Sequence, residues 1–322
     1  LESSGTDDNE VRGNYIGVAA DGATALGNGQ HGVHVTDQAS SNTIGGSQLG
    51  DPGNVISGNG ADGVHVDGTF GNGAASNTSD NFIGSNRIGV SDAGDTAVPN
   101  GESGVDVSGA TGTSVGSTLA VNNVISGNTQ YGVRVYGTDI DIIGNYIGTD
   151  GGGTAALGNG TGAEGILVVS ASSSITIGGT NSAYRNVISG NQRGITLFLA
   201  TDCTIQGNYV GTDGGGTTAL GNTFHGIKIY GSTDASGTLV GGTASGAGNV
   251  VAGNGDQGIW LDGSAATNIT IQGNHVGTNA DATATLPNGT HGVHVGSDAS
   301  SNLIGGTATG AGNVVAGNSD FE

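Results

Sequence analysis

One line of sequence is written over and over in this chain: x-I-x-G, then N-x-I-x-G, then N-x-x-G-I-x-I. It is plainest from Thr204 to Leu261, where two copies run on without a break. The Asn that opens the second segment falls at Asn14, Asn54, Asn86, Asn123, Asn145, Asn186, Asn208, Asn249, Asn274 and Asn313. A second Asn closes that segment at Asn28, Asn59, Asn100, Asn128, Asn159, Asn191, Asn222, Asn254, Asn288 and Asn318. The third segment opens at Gly32, Gly63, Gly104, Gly132, Gly165, Gly194, Gly226, Gly258 and Gly292. Self-similarity at such a period is the mark of a stacked-repeat architecture and constrains the fold more than any local propensity.

Within each line a fixed aliphatic alternates with a variable neighbour. The first segment fixes Val11, Ile44, Ile83, Val115, Ile142, Ile177, Ile205, Val240, Ile271 and Ile304. The second fixes Ile16, Ile56, Ile88, Ile125, Ile147, Ile188, Val210, Val251, Val276 and Val315. The third places two aliphatics around one variable residue, as in Val33-His34-Val35 and Ile259-Trp260-Leu261. Period-2 alternation marks half-buried strands. Gly or Asn at the junctions suits corners that need positive φ. Three short strands per line, in constant order with fixed corners, coil rather than form hairpins. Stacking the lines ~4.8 Å apart builds three parallel sheets around an aliphatic column, and ten lines give a rod of roughly 45–50 Å. A stacked Asn then satisfies corner backbone groups and its neighbours' amides along a ladder. An α-solenoid is excluded, because no 3.6-residue period is present and Gly breaks helices. A β-propeller fits badly, since each blade needs four strands. The expected fold is all-β: a single-stranded parallel β-helix of about ten coils, one elongated domain over residues 1–322.

The high Gly content, 68 of 322 residues with only 3 Pro, would suit disorder were Ile and Val not held in register. Six basic residues against 27 acidic ones give a net charge of −21. That balance argues against nucleic acid and anionic membranes as partners, and no apolar run is long enough for membrane insertion. A lone Cys203 excludes an intrachain disulfide framework and, on an inward strand position, reads as a small buried hydrophobe.

The wording G-N-Y-I-G-T-D-G-G-G-T-A-A-L-G-N-G at 144–160, with I-T-I-G-G-T at 175–180 and R-N-V-I-S-G-N at 185–191, resembles bacterial right-handed parallel β-helix repeat proteins. In particular it is similar to large secreted or surface proteins with CSLREA-type domains and pectin-lyase-like repeats. The resemblance covers essentially the whole chain. It implies the right hand of the coil and an extracellular or cell-surface location, and it leaves the function open, because that fold hosts lyases, hydrolases, epimerases, adhesins and passenger rods.

Three sets of residues are candidates for chemistry. Five lines carry an insert running from Gly17, Gly89, Gly148, Gly211 and Gly277 to the second Asn. The acidic residues in it include Asp21, Asp150, Asp213 and Asp281, which either ligate Ca²⁺ or form solvated Asx-turns. The loops lack the spacing of Ca²⁺-binding nonapeptide rolls. The second set precedes the fixed aliphatic of the second strand. It alternates Val55, Val124, Val187, Val250 and Val314 with Tyr15, Arg87, Tyr146, Tyr209 and His275. Planar groups recurring every second coil, ~10 Å apart, either form a platform for stacked sugar rings or pack beneath the inserts. The third set is the outward row of the third strand: His34, His65, Asp106, Arg134, Leu167, Thr196, Lys228, Trp260 and His294. It is the least repetitive row, and Arg134, Lys228 and Trp260 are its candidates for ligand contact. His34 and His65 stand one line apart, as a shared metal would require, with no third ligand following them in the row.

An enzyme of this fold needs clustered carboxylates beside a base. The nearest fragment, His225-Gly226-Ile227-Lys228, has no matching Asp pair, and His-Gly recurs at His31-Gly32 and His291-Gly292. Irregular stretches around 67–80 and 108–122 are the clearest breaks in the repeat. The expected function is a non-catalytic extracellular rod, a spacer, adhesin or glycan-binding passenger with polysaccharide as partner. The alternative is a carbohydrate-active enzyme, a polysaccharide lyase or glycoside hydrolase. A groove pairing Arg134 or Lys228 with convergent Asp residues would favour the alternative. Line ten stops at Phe321-Glu322 without its third strand, so a segment of a longer protein, or end-to-end self-association, is expected as well.

Overall fold

The computed structural model describes residues 1–69, 76–117, 122–160, 162–169 and 171–320. Parts of the irregular stretches at 67–80 and 108–122, and the end at Phe321-Glu322, lie outside the described residues. The chain coils as a parallel β-helix. Among the described residues, twenty-nine strands fall into three sheets of ten, ten and nine, and each sheet takes every third strand in order. The pairings between these strands are parallel. The first sheet holds the x-I-x segments, from Glu10–Val11 to Leu303–Ile304. The second runs from Tyr15–Ile16 to Val314–Val315, and the third from Val33–Val35 to Val293–Gly296.

Register puts like on like. Ile44 pairs with Ile83, Ile56 with Ile88, and Val64 with Val105. The fixed aliphatics therefore form one continuous core, and those from the second to the ninth coil are fully buried in the first two sheets. In the last coil Ile304 is open at 47% exposure while Val315 is partly buried against the core, and Val295, in the third-sheet strand before it, is 43% exposed. Cys203 is buried in this core, and burial pushes its thiol up to about 11.

Two polar columns run beside the apolar one. Each Asn of the first series donates from Nδ2 to Oδ1 of the next, without interruption from Asn14 to Asn313, at 2.9–3.2 Å. The second series does so from Asn28 to Asn318, at 2.9–3.4 Å. Asn186 shows what one rung does. Its Oδ1 accepts from the backbone N (3.0 Å) and Nδ2 (2.9 Å) of Asn145, while its Nδ2 donates to Ile142 O (2.7 Å) and Asn208 Oδ1 (2.9 Å). A primary amide offers two donors and two acceptor lone pairs, so every site on this side chain is filled.

The junction residues divide into two kinds. Gly17, Gly58 and Gly148 hold φ of 82°, 75° and 84° and so use glycine's left-handed freedom. The ladder Asn residues do not adopt positive φ, contrary to expectation, because their side chains rather than their backbones make the corner. The glycine that opens the third strand is also not left-handed; it is there for space. A Cβ on Gly104 would lie 2.4 Å from Ile125 Cγ2 and 2.8 Å from Asn128 Nδ2, wedged between core and ladder.

Each of the five inserts folds into a small hairpin closed by one antiparallel bridge: Val18–Ala25, Val90–Ala97, Thr149–Ala156, Thr212–Ala219 and Thr278–Thr285. The hairpins also bond to one another. Asp92 N donates to Gly22 O, Gly151 N to Gly94 O, Gly214 N to Gly153 O and Ala280 N to Gly216 O, all at 2.8–2.9 Å. They form a fourth stack, laid over the second sheet.

The two kinds of column should respond differently to substitution. Ile188→Ala should lower stability by roughly 2–5 kcal/mol, as a core cavity does. Asn186→Ala removes four buried hydrogen bonds at once, among them the one on the backbone N of Asn145, and should cost roughly 3 kcal/mol or more. Thr204→Ala, on the outer face, should stay within about 0.5 kcal/mol. Urea unfolding of the three variants measures all of this, and a small effect for Asn186→Ala would show the ladder to be dispensable.

Candidate ligand-binding face

The hairpin column settles what surrounds the row on the second sheet. Tyr209 is only 8% exposed, packed with Val187, Val250 and Ala252, with Tyr146, Ala280 and Leu286 against the cluster. The Arg185 guanidinium sits 4.0 Å from its ring centre. The rings lie on glycines of their own inserts: a Cβ on Gly153 would be 2.7 Å from Tyr146 Cε1, and one on Gly216 2.8 Å from Tyr209 Cε2. Arg87, Tyr146 and His275 are partly covered. Tyr15, in the first coil, is the open member at 48%, its hydroxyl donating to Asp92 at 3.2 Å. Most of the row thus lies where rings packed under loops would lie.

The acidic residues of the inserts are occupied by their own turns. Asp21 Oδ1 accepts from Ala23 N and Thr24 N, and Oδ2 from Thr24 Oγ1. The Thr24 hydroxyl and these amides hold the carboxyl down at about 2. Asp150 and Asp213 bind the amides and hydroxyls of Thr154 and Thr217 in the same way. Asn279 fills the equivalent place in the ninth coil, bonding Thr283 N, and Asp281 stands exposed beside it. In the loops of Asp21, Asp150 and Asp213 a single carboxylate, already bonded to its own turn, does not fit Ca²⁺, which needs six to eight oxygens. Among the described residues, neither group of potential metal ligands includes these four Asp.

The outer face of the third sheet is different. Three columns run along it in register. The middle one is the variable row, in which His34 pairs with His65, His65 with Asp106, Asp106 with Arg134, and Thr196, Lys228, Trp260 and His294 follow one another. The residues before the strand-opening glycines make a second: His31, Asp62, Ser103, Tyr131, Glu164, Arg193, His225, Gln257 and His291. Their carbonyls accept from the glycine amide one coil back, as Asp62 O from Gly32 N and His225 O from Gly194 N. The third column holds Asp67, Ser108, Tyr136, Phe198, Tyr230 and Asp262.

Two clusters form where these columns meet. Toward the C-terminal end, Lys228 Nζ lies 3.5 Å from the centre of the Trp260 ring system, 4.5 Å from that of Tyr230, and 2.9 Å from Asp262 Oδ2. Trp260 meets His225 and His294 edge-on, each at 6.0 Å. Arg193 reaches Glu164 at 3.7 Å, and Thr196 Oγ1 stands 3.4 Å from both Glu164 Oε1 and His225 Nε2. Burial pushes the Glu164 carboxyl up, with Arg193 offsetting part of the shift. Burial, helped by Lys228 and Arg193, pushes His225 down to about 3, so its imidazole is neutral.

Toward the N-terminal end, His31, His34 and His65 crowd together with Asp62 and Asp67, and Arg134 pairs with Asp106 at 3.1 Å. The expectation that no third ligand accompanies His34 and His65 is corrected here. The missing groups sit in the flanking columns, not in the row itself. The variable residues before the repeated glycines were the sequence signal for them.

Comparison with protein-family models and with curated protein sequences finds no match. Solved structures do match. The A-module of the Azotobacter vinelandii mannuronan C-5 epimerase AlgE4 aligns at 12% identity and TM-score 0.44, over 96% of this chain and 58% of that one. A point mutant of the periplasmic alginate epimerase AlgG aligns at 14% identity and TM-score 0.44, over 90% of this chain and 69% of that one. Tailspike protein 2 of Escherichia coli O157:H7 bacteriophage CAB120 aligns at 15% and TM-score 0.43, over 90% of this chain and 37% of that one. At 12–15% identity these likenesses extend to no more than the fold. The chain spans just over half the length of the A-modules of AlgE4 and of a second Azotobacter vinelandii mannuronan C-5 epimerase, AlgE6, 58% and 55%.

A pH dependence follows from His225. Its folded pKa lies below the ordinary value near 6.5, so between those limits the unfolded chain binds more protons than the folded one. The stability it contributes is full above pH ~6.5 and is lost as pH falls toward 3. His225→Gln should flatten that limb of a melting-temperature profile between pH 6.5 and 3, while the neutral-pH value moves little. An unchanged slope would mean His225 is open to solvent.

Proposed function

We propose that the chain is the repeat rod of an extracellular or cell-surface protein that binds polysaccharide along the outer face of its third sheet, without catalysis. The observation that carries this reading is the content of that face. On a chain of net charge −21 it gathers Arg134, Arg193 and Lys228, three of the six basic residues, together with the lone Trp. Trp260, Tyr230, Phe198 and the half-exposed Phe224 supply apolar ring surface beside fixed donors and acceptors. Apolar surface with a few placed polar groups is what a sugar chain requires. A sheet rising one strand per coil also suits a linear polymer better than a small ligand. No helix among the described residues is long and apolar enough to cross a membrane.

A non-catalytic role is supported by the pairing of the carboxylates. Asp106 is held by Arg134, Glu164 by Arg193 and Asp262 by Lys228, so each cation meets one acid rather than a convergent pair. One observation favours the second reading, an enzyme acting on polysaccharide. Glu164, with its carboxyl pushed up by burial, lies beside Thr196 and the neutral His225, and raised acids of this kind serve as general acids.

Affinity electrophoresis and titration calorimetry against a neutral glucan, a polyuronate and a sulfated glycan test the proposal. The wild-type chain should bind at least one of them. Lys228→Gln with Trp260→Phe should weaken that binding about tenfold or more, the 1.4 kcal/mol or so of a lost ring-and-cation contact. The melting temperature should move by only a few degrees. Turnover of the bound glycan, abolished by Glu164→Gln, would establish the enzyme instead.

A further inference from the structure

We infer that His34, His65 and Asp67 form a binding site for a divalent transition cation of the zinc type, which would cross-link the first two coils. One ligand atom from each of the three lies within 4.8 Å of the other two. The register produces this set: His34 and His65 are direct partners across the first and second coils, and Asp67 follows His65 by two residues on the same face. Zinc bonds His nitrogen and carboxylate oxygen at ~2.0–2.2 Å, so ligand atoms in a tetrahedral site stand roughly 3.4 Å apart. Small rotations of the exposed His34 and the half-exposed Asp67 would bring these atoms to that spacing.

The anchor of the set is His65. Its Nδ1 faces Asp62 Oδ2 at 3.0 Å, and Asp62 is buried, with its other oxygen accepting from Ser103 N at 2.9 Å. A carboxylate fixed in this way orients the imidazole and leaves Nε2 for the metal, which is how proteins commonly hold ligating histidines. His31 completes the support. Its ring stacks on His65 at 4.4 Å between centres and 20° between planes, and its Nδ1 accepts from the Asp62 backbone N at 3.3 Å. The Asp67 Oδ1 atom is steadied by Thr69 N and Oγ1, at 2.8 and 2.6 Å, which leaves Oδ2 free of the turn. Two imidazoles and one carboxylate, with water as the fourth ligand, suit zinc and its neighbours rather than Ca²⁺ or Mg²⁺, whose sites are built of oxygen.

Calorimetry with ZnCl₂ on the untagged chain tests the site, with Co²⁺ absorption as a report of geometry. The expected result is one equivalent bound, the visible bands of a four-coordinate cobalt site, and a rise in melting temperature on adding zinc. His34→Ala and Asp67→Asn, both on the surface, should each weaken binding at least tenfold. Asp62→Asn should weaken it while leaving the stoichiometry and the cobalt bands in place, because Asp62 positions His65 without touching the metal. His294→Ala, a like change on the same face in the ninth coil, should leave zinc affinity unchanged. Failure to bind zinc at millimolar concentration, or binding that survives the combined His34→Ala and Asp67→Asn change, would overturn the inference.

Discussion

The amide-to-amide hydrogen bond between successive Asn side chains is the constraint on which this structure leans. A parallel β-helix bends its chain sharply three times per coil, and each bend turns backbone groups away from the sheet ladders. Buried groups of that kind need partners, or each one costs a kcal/mol or more. Here a single residue type answers the need at two corners. Each rung between the ends accepts from the coil before it and donates both to the coil after it and to a carbonyl of a preceding turn, as Asn54 does with Asn14, Asn86 and Val11. Because each rung finishes the hydrogen bonding of the last, the ladder sets register as well as satisfaction. A coil slipped by one residue would lose both.

The rest of the repeat follows from the room the ladders leave. The glycine opening the third strand has no space for a Cβ between the Asn amide and the core Ile or Val. The aliphatics can only stack on their own kind, because the ladders hold each coil in the same phase as the next. What remains free to vary is the outside, and the outside is unequal. The second sheet is roofed by hairpins. The first sheet shows a mixture of Thr, apolar and a few other polar or acidic residues, Glu10, Ser114 and Asp141 among them. The third carries most of the chain's histidines and half of its cations.

That division explains how far the sequence could be read. The fold was legible because its determinants are periodic: Ile188, Asn186 and Gly165 recur with their neighbours in every coil, and repetition exposes them. Tyr146 and Tyr209 were ambiguous, since an outward position says nothing about whether a loop returns over it. Only the contact of the rings with Gly153 and Gly216 decides that. Asp62, Glu164, Arg193 and His225 were harder. They stand one residue before a repeated glycine, at the entry to the third strand, where Asp62 and His225 lie just outside the strand and Glu164 and Arg193 are its first residues. Their side chains face the outer surface because the chain turns into the strand at that point, a fact of backbone path rather than of residue type. His31-Gly32 and His225-Gly226 looked like a motif of the repeat, yet the two histidines have different neighbours: one stacks on His65, the other sits by Thr196 and Trp260.

The hairpin stack has a period of its own. Hairpins occur on alternate coils, yet they bond directly to each other, Gly22 to Asp92 and Gly94 to Gly151, across the coil that lacks one. The smallest piece that can be copied and still fit is therefore a pair of coils. Losing or duplicating one coil would leave the core and both Asn ladders continuous but would set two hairpins side by side, or leave a gap wider than they can span. A protein built on this plan changes length in steps of two, and its evolution by unequal recombination would be counted in those doublets.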